Sequence, residues 1–536
     1  MKPMFPVGLA LRETRVILAF VAAVAVLWAG TFLHGPWVVW VFAAAATLLV
    51  VLILVTWRRA PLGALLGRWA ARHRPGQAAP DLRAVPAAAD HRLRWTDDQA
   101  AIRAAGDELV AVVAVDGPSH TPSVLDNHRV HSAASLPVAV VADALRQFDV
   151  RLAGIDILSV GRRRAPKTHH HYAQTYSGHV GDHGAVGRRR TVCVLRMNRL
   201  DNVSAVVCRD SLAATLDACA QRLAAELTAR HLPARVVDSA ELVDIDAILT
   251  AGLGPDSGQP RWGGVRQANG WLSTFWVSPR DISTATLERV WAPDTDYTAC
   301  ALQLRPAPNG GVTVGLLVRY ATAGPQKQPP LTGLNPLSGR HDLGVRAGLA
   351  DARTAAIAAP HRPLGAGEEM KAPIGASGII VGTTLKGHPL LVDLAAATPG
   401  ARSTVTVAGE VALVVQQAMR SAAVGYHVLV ATAQPQYWRE ANAPGLRVVS
   451  GIPEQLPDDG RGIMAVYDHA NAPAVSNAAI TMRTVAAGTA SVADVHFEQD
   501  SARTAVIRTA DFQSRMNINV EAERNLIKWR PRRPAA

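Results

Sequence analysis

Two uncharged apolar runs separated by only three residues constrain everything that follows them. Residues 16–33 read VILAFVAAVAVLWAGTFL and residues 37–57 read WVVWVFAAAATLLVVLILVTW, with His34, Gly35 and Pro36 between. Each run is close to the ~20 residues a helix needs to cross the hydrocarbon core, so the two helices have to turn back at once. Trp28, Trp37, Trp40 and Trp57 suit the interfacial belts of a bilayer. Lys2, Arg12 and Arg15 precede the first run; Arg58, Arg59, Arg68, Arg72 and Arg74 follow the second; the turn carries no Lys or Arg. Positive flanks stay inside. The expectation is a two-pass protein of the cell inner membrane, with both termini and the large remainder of the chain cytoplasmic. A cleaved signal peptide would not be followed directly by a second span.

Behind the anchor, residues 58–75 alternate basic residues with Leu65, Leu66 and Trp69, which suits a short helix on the cytoplasmic leaflet. Residues 76–91 are rich in Ala and Pro and read as a linker. The predicted map is an anchor and basic helix over 1–75, a linker over 76–104, an α/β domain over 105–324, a Pro/Gly/Ala-rich connection over 325–375 and a second α/β domain over 376–536. The fold class is thus membrane-anchored α/β: a two-helix transmembrane hairpin followed by two cytoplasmic α/β lobes with mixed sheets.

Strands are predicted at 108–116, 155–160, 191–197 and 234–237, and helical spacing over 136–148. Between residues 210 and 230, Leu212, Leu216, Cys219, Leu223 and Leu227 share one helix face, with Asp210 as the expected cap. In the second domain, strand 403–407, helix 410–424 and strand 426–432 form a βαβ unit, implying parallel pairing. Further strands are expected at 446–450, 462–468, 492–497, 504–509 and 517–520. Cys193, Cys208, Cys219 and Cys300 show no paired spacing, as expected of reduced thiols.

The segment VCVLRMNRLDNVSAVVCRDSLAATLDACAQRLAAELTARHLPARVVDSAEL resembles the central part of EccE, a membrane component of mycobacterial type VII (ESX) secretion systems. The likeness continues through RWGGVRQANGWLSTFWVSPRDISTATLERVWAPDTDYTACALQL and GLLVRY, and covers about residues 191–320. It implies a non-catalytic structural subunit beside EccB, EccC and EccD in an inner-membrane export complex.

Motifs of chemistry are few. The sequence has no P-loop pattern, no H-E-x-x-H and no G-x-S-x-G. Glu410 directly after Ala408-Gly409 would repel an anion at that helix start. His169, His170, His171, His179 and His183 lie between Arg162, Arg163, Arg164 and Arg188, Arg189, Arg190, with four glycines among them. Neighbouring cations disfavour a metal, and the segment reads as an exposed, flexible hairpin loop whose arginines touch lipid headgroups or an acidic partner. Deleting residues 166–187 is then expected to leave the fold intact. Arg222 and Arg230, on the polar side of the 210–230 helix, are further candidate partner contacts.

Two Asp-x-Asp pairs, Asp244/Asp246 and Asp294/Asp296, could hold a divalent ion and a sugar nucleotide, which would make a membrane-anchored glycosyltransferase. Against this, the first pair sits in a helical pattern that turns the two carboxylates apart, and the second follows Pro293 in a turn. With 55 Lys and Arg against 43 Asp and Glu the chain carries +12. That charge also fits a membrane-tethered nucleic-acid binder, but no aromatic stacking pattern supports one. The expectation is no cofactor, no metal, no nucleic acid and no small-molecule substrate, with protein subunits and the bilayer as partners.

Overall fold

The computed structural model describes residues 7–9, 13–33, 35–57, 60–72, 81–92, 99–207, 209–253, 258–326, 328–353, 359–452, 462–469, 477–489, 492–518, 523 and 526–527. Arg58 and Arg59 of the expected anchor, and Cys208, lie outside them.

At the N-terminus, Glu13–Gly30 is one helix long and apolar enough to cross a membrane. A second apolar helix, Val38–Leu54, is shorter at 17 residues. They pack on each other closely enough that a Cβ at Gly30 would sit 2.8 Å from Phe42, the close approach small residues allow between membrane helices. Trp28, Trp37, Trp40 and Trp57 are 44–77% exposed. Below the helices, Val7–Leu9 pairs antiparallel with Val55–Trp57, which pairs with Ala60–Pro61. This small sheet ties together the two chain segments that flank the helix pair. The amphipathic helix Leu62–Arg72 follows.

The larger remainder is built on two sheets. In the first, the described strands number 13 and every recorded pairing is antiparallel; its spine runs through Glu108–Val115, Arg188–Asn198, Gly154–Arg162, Tyr297–Pro306 and Val312–Thr322. Both faces are covered, so strand residues are apolar on both sides. Ala111, Val113 and Val115 face the helix Leu212–Ala229; Val110, Val112 and Ala114 face the helix Ser239–Leu249 and residues 347–352. Leu216, Cys219, Leu223 and Leu227 are buried as their spacing predicts, but Ser211, not Asp210, caps the helix, its hydroxyl accepting from the Ala214 N–H. The expected 136–148 helix stops at Asp143; the chain then turns through a hairpin pairing Arg146–Gln147 with Val150–Arg151.

The second sheet is mixed. Leu446–Val448, His427–Thr432, Ile463–Asp468, Ile480–Thr484, Ser403–Ala408 and Val495–Gln499 run parallel in that order, and antiparallel strands continue beyond them. Ser403–Ala408 and His427–Thr432 are parallel as the βαβ reading requires, yet two other strands separate them, so they do not pair directly. The connecting helix Val411–Val424 is buried along its length and ends at Gly425, whose φ of +107° is the left-handed cap glycine tolerates.

The two sheets exchange chain. The hairpin of Ser123–Asp126 and Arg129–Ser132, from the N-terminal half, extends the second sheet by pairing with Pro389–Val392. Lys371–Pro373 pairs in turn with Ser135–Pro137.

Candidate functional site

The segment between residues 162 and 190 is the densest collection of charge and imidazole in the chain, and the structure corrects the reading of it as a flexible exposed loop. It is the joint between the two sheets. Residues 173–180 form a helix whose Tyr172, Ala173, Tyr176 and Val180 enter the core of the second sheet. Their spacing of one, four and eight residues is helical, a signal obscured by the surrounding His, Gly and Arg. Backbone bonds stitch the segment in place: Ala165 N–H to Ala423 O at 2.7 Å, Gly445 N–H to His169 O at 2.7 Å, and Ser377 N–H to Val186 O at 2.9 Å.

The arginines that were candidates for lipid or partner contact are largely consumed here. Arg162 is buried and donates to Gly425 O at 2.8 Å; burial, then the charge of Arg188, pushes its pKa down to about 10. Arg163, also buried, donates to the carbonyls of Ala292, Ser177 and Gly181. Arg164 pairs with Asp294 at 2.7 Å and with Asp296 at 3.4 Å. Arg188 lies over the Tyr426 ring and Arg189 over the Trp291 ring, 5.0 and 4.9 Å from the centroids. Arg189 also donates to Gly375 O at 2.7 Å, and burial lowers its pKa to about 10. Arg190 bonds Asp116 at 2.9 Å and Ala397 O at 3.0 Å. A guanidinium with several donors in a fixed fork satisfies scattered carbonyls better than any other side chain, which explains Arg at positions the fold buries.

The histidines do not converge on a point. His169 bonds Tyr426 O at 3.0 Å and packs edge-on against His427; His170 bonds Ala441 O at 3.2 Å and stacks on His171; His183 bonds Val180 O at 2.9 Å; His179 is exposed. Among the described residues no group of three or more His, Cys, Asp or Glu is placed to hold a metal.

Of the two Asp-x-Asp pairs, one carboxylate of the first and both of the second are held by arginine. Asp246 is paired with Arg103, while Asp244 points outward from the same helix. Asp294 accepts from Arg164 and from Ser177 Oγ at 3.1 Å. Cys193, Cys219 and Cys300 are separate buried thiols, and burial raises their pKa values to about 12, 11 and 12.

One buried residue that the sequence did not single out completes the joint. Glu523 is 0% exposed and accepts from Tyr172 Oη at 2.6 Å, Arg420 Nε at 2.7 Å and Gln416 Nε2 at 2.8 Å. Burial alone would raise its carboxyl, but the Arg420 charge and these bonds outweigh it and hold the pKa below the usual glutamate range.

Arg222 and Arg230 are exposed on the helix Leu212–Ala229 and its cap, as expected. Arg230 pairs with Glu226 one turn back at 2.8 Å. Arg222 bonds Gln147 at 2.7 Å and lies over the ring of Phe148, 5.0 Å from its centroid.

Comparison with known proteins converges on one family. The profile described as "Putative type VII ESX secretion system translocon, EccE" matches residues 185–277. The chain is 34% identical over 387 residues to the ESX-5 secretion system protein EccE5 of Mycobacterium marinum, covering 69% of this chain and 95% of that one. It is 32% identical over 397 residues to the EccE5 protein of Mycobacterium tuberculosis, covering 70% and 97%. The ESX-2 secretion system protein EccE2 of Mycobacterium tuberculosis is 26% identical over 359 residues, covering 66% and 65%.

Proposed function

The chain belongs to the EccE family of type VII ESX secretion system components, and on that premise we propose that it is a non-catalytic structural subunit of the inner-membrane export complex. Its task in this reading is to hold neighbouring subunits together, with EccB, EccC and EccD type proteins as those neighbours. The two apolar helices act as a two-pass anchor, and the small sheet that joins Val7–Leu9 to Val55–Trp57 favours placing both flanks on one side of the membrane.

The observation that carries the non-catalytic reading is the use made of the charged residues. Of the carboxylates that could serve a metal-dependent transferase, Asp246 is engaged by Arg103, and Asp294 and Asp296 by Arg164, while Asp244 faces away from Asp246 on its helix. The arginine and histidine cluster is spent on backbone carbonyls within the joint.

The test is purification of the complex in mild detergent from cells carrying a tagged chain, with subunits quantified. EccB, EccC and EccD type proteins are expected to co-purify. Replacing residues 16–57 by an unrelated two-helix anchor should largely preserve their recovery, because recognition is assigned to the cytoplasmic lobes. Loss of all three subunits with a folded, swapped protein would put recognition in the membrane and end this account.

A further inference from the structure

The hairpin of Arg146–Gln147 and Val150–Arg151 turns at Phe148, whose ring is 80% exposed and whose φ is +57°. A bulky residue in the left-handed region is a true outlier, and such strain persists where surrounding contacts enforce it, typically at sites that bind. Three contacts enforce it here. Arg222 bonds Gln147 and covers one face of the Phe148 ring. Arg209 grips Asp149 with two bonds at 2.6 and 2.8 Å. The Asn202 amide exchanges two bonds of 2.9 Å with the backbone of Arg151.

Asn202 also joins the hairpin to the turn Leu200–Val206. That turn and its end present Leu200, Val203 and Val207 at 68%, 62% and 84% exposure. Two elements joined by Asn202 thus expose an aromatic ring and three aliphatic side chains, taken together as one outward patch. Its rim is basic. Arg146 and Arg151 stand directly opposite each other on the ladder, where like charges repel. Neither they nor Arg222 has a carboxylate partner among the described residues.

From this patch we infer a docking surface for an acidic, apolar-bearing segment of another protein subunit, a reading that rests on the structural role proposed above. Its position favours protein over lipid. The patch sits at the Gly154 and Asn198 ends of two long strands, whereas the joint with the second sheet is at their Arg162 and Arg188 ends, about 30 Å away at ~3.4 Å per residue. The base of the membrane anchor meets the domain at a different edge of the sheet. There Trp57 and Leu65 line a cavity of about 220 Å³ with Trp262 and Phe275. The repelling Arg146–Arg151 pair is relieved by a carboxylate between them, and the exposed ring supplies the anchor that hot spots of this kind use.

The test places a photo-crosslinking p-benzoylphenylalanine at position 148 of the full chain within the assembled membrane complex. The expected product joins position 148 to an acidic peptide of another subunit, and the double substitution R146E/R151E abolishes it without changing the melting temperature. Phe148→Gly removes both ring and strain. It should leave melting unchanged or raised, yet reduce recovery of the crosslinked subunit roughly tenfold. Adducts to lipid or to a second copy of this chain, or no adduct while the chain still co-purifies with the complex, would overturn this surface but not the structural role. Failure of the chain to co-purify at all would overturn both.

Discussion

Glu523 illustrates what a single side chain does in this fold. It neutralises Arg420, which is 6% exposed, and accepts from Tyr172. Removing one partner of such a pair leaves the other charge buried and uncompensated, a cost of about 3–5 kcal/mol. Glu523→Gln is therefore expected to lower the thermal transition of the detergent-solubilised chain markedly at pH 7, and Arg420→Met with Glu523→Leu to recover much of it. The sign with pH follows from the depressed carboxyl. Its stabilisation is present above its ordinary unfolded value of 4.5 and is lost as pH falls through the folded value. The substituted protein should thus lose less than the parent on acidification, measured by melting as the pH is taken from about 5 down to about 2. None of this was legible in sequence, because Tyr172 and Arg420 lie 351 and 103 positions away. A glutamate near a chain end carries no local mark of a buried partner.

At the scale of an element, the 162–190 segment shows where composition misleads. Glycines, histidines and two arginine triplets are the vocabulary of a surface loop, whereas Tyr172, Ala173, Tyr176 and Val180 are a buried helical stripe. Excising residues 166–187 removes that stripe, so it should expose both sheets to protease at low enzyme ratios instead of leaving the fold intact. Tyr176→Ala alone should cost about 3–5 kcal/mol; Gln174→Ala, at an exposed position of the same helix, should cost little. His170 adds a pH dependence. Burial, then the charge of His171, lowers its pKa from 6.5 to about 4, so it is neutral in the fold. Its contribution is complete above pH 6.5 and declines as pH falls towards 4. His170→Asn should flatten the melting profile across that window. Elsewhere legibility was good where periodicity was long: the helix Leu212–Ala229 buries Leu216, Cys219, Leu223 and Leu227 of its predicted apolar face, and Leu212 in its first turn is half-buried. The 136–148 helix failed because the apolar spacing said nothing of the left-handed turn at Phe148.

For the whole molecule, neither lobe is a contiguous stretch of chain. Leu82 is 1% exposed, and Ala88–Arg92 is a strand paired with Gln99–Ala105. A fragment beginning at residue 81 should therefore fold and melt several degrees above one beginning at His91, which cuts that strand. Residues 376–536 alone should not fold, since the hairpin at 123–132 and the helix at 173–180 both complete their core. Circular dichroism with near-ultraviolet bands would separate these outcomes. A reporter active only outside the inner membrane, fused after Ala536, should be silent; strong activity would reverse the proposed orientation. The α/β class was visible in strand and helix patterns, but patterns do not say which sheet a short strand joins.

The exchanged hairpin also sets a schedule for synthesis. Val124 pairs with Leu390, so some 270 residues must leave the ribosome before its partner exists, roughly 13–50 s at ~5–20 residues per second. By then the two apolar helices have long since emerged. The nascent chain is tethered to the bilayer while the edge of its first-made hairpin waits unpaired, open to competing strands from neighbouring chains. An organism that makes this protein faster than it can be finished and folded should accumulate it as aggregates at the membrane, and slowing elongation over residues 133–389 should make that worse.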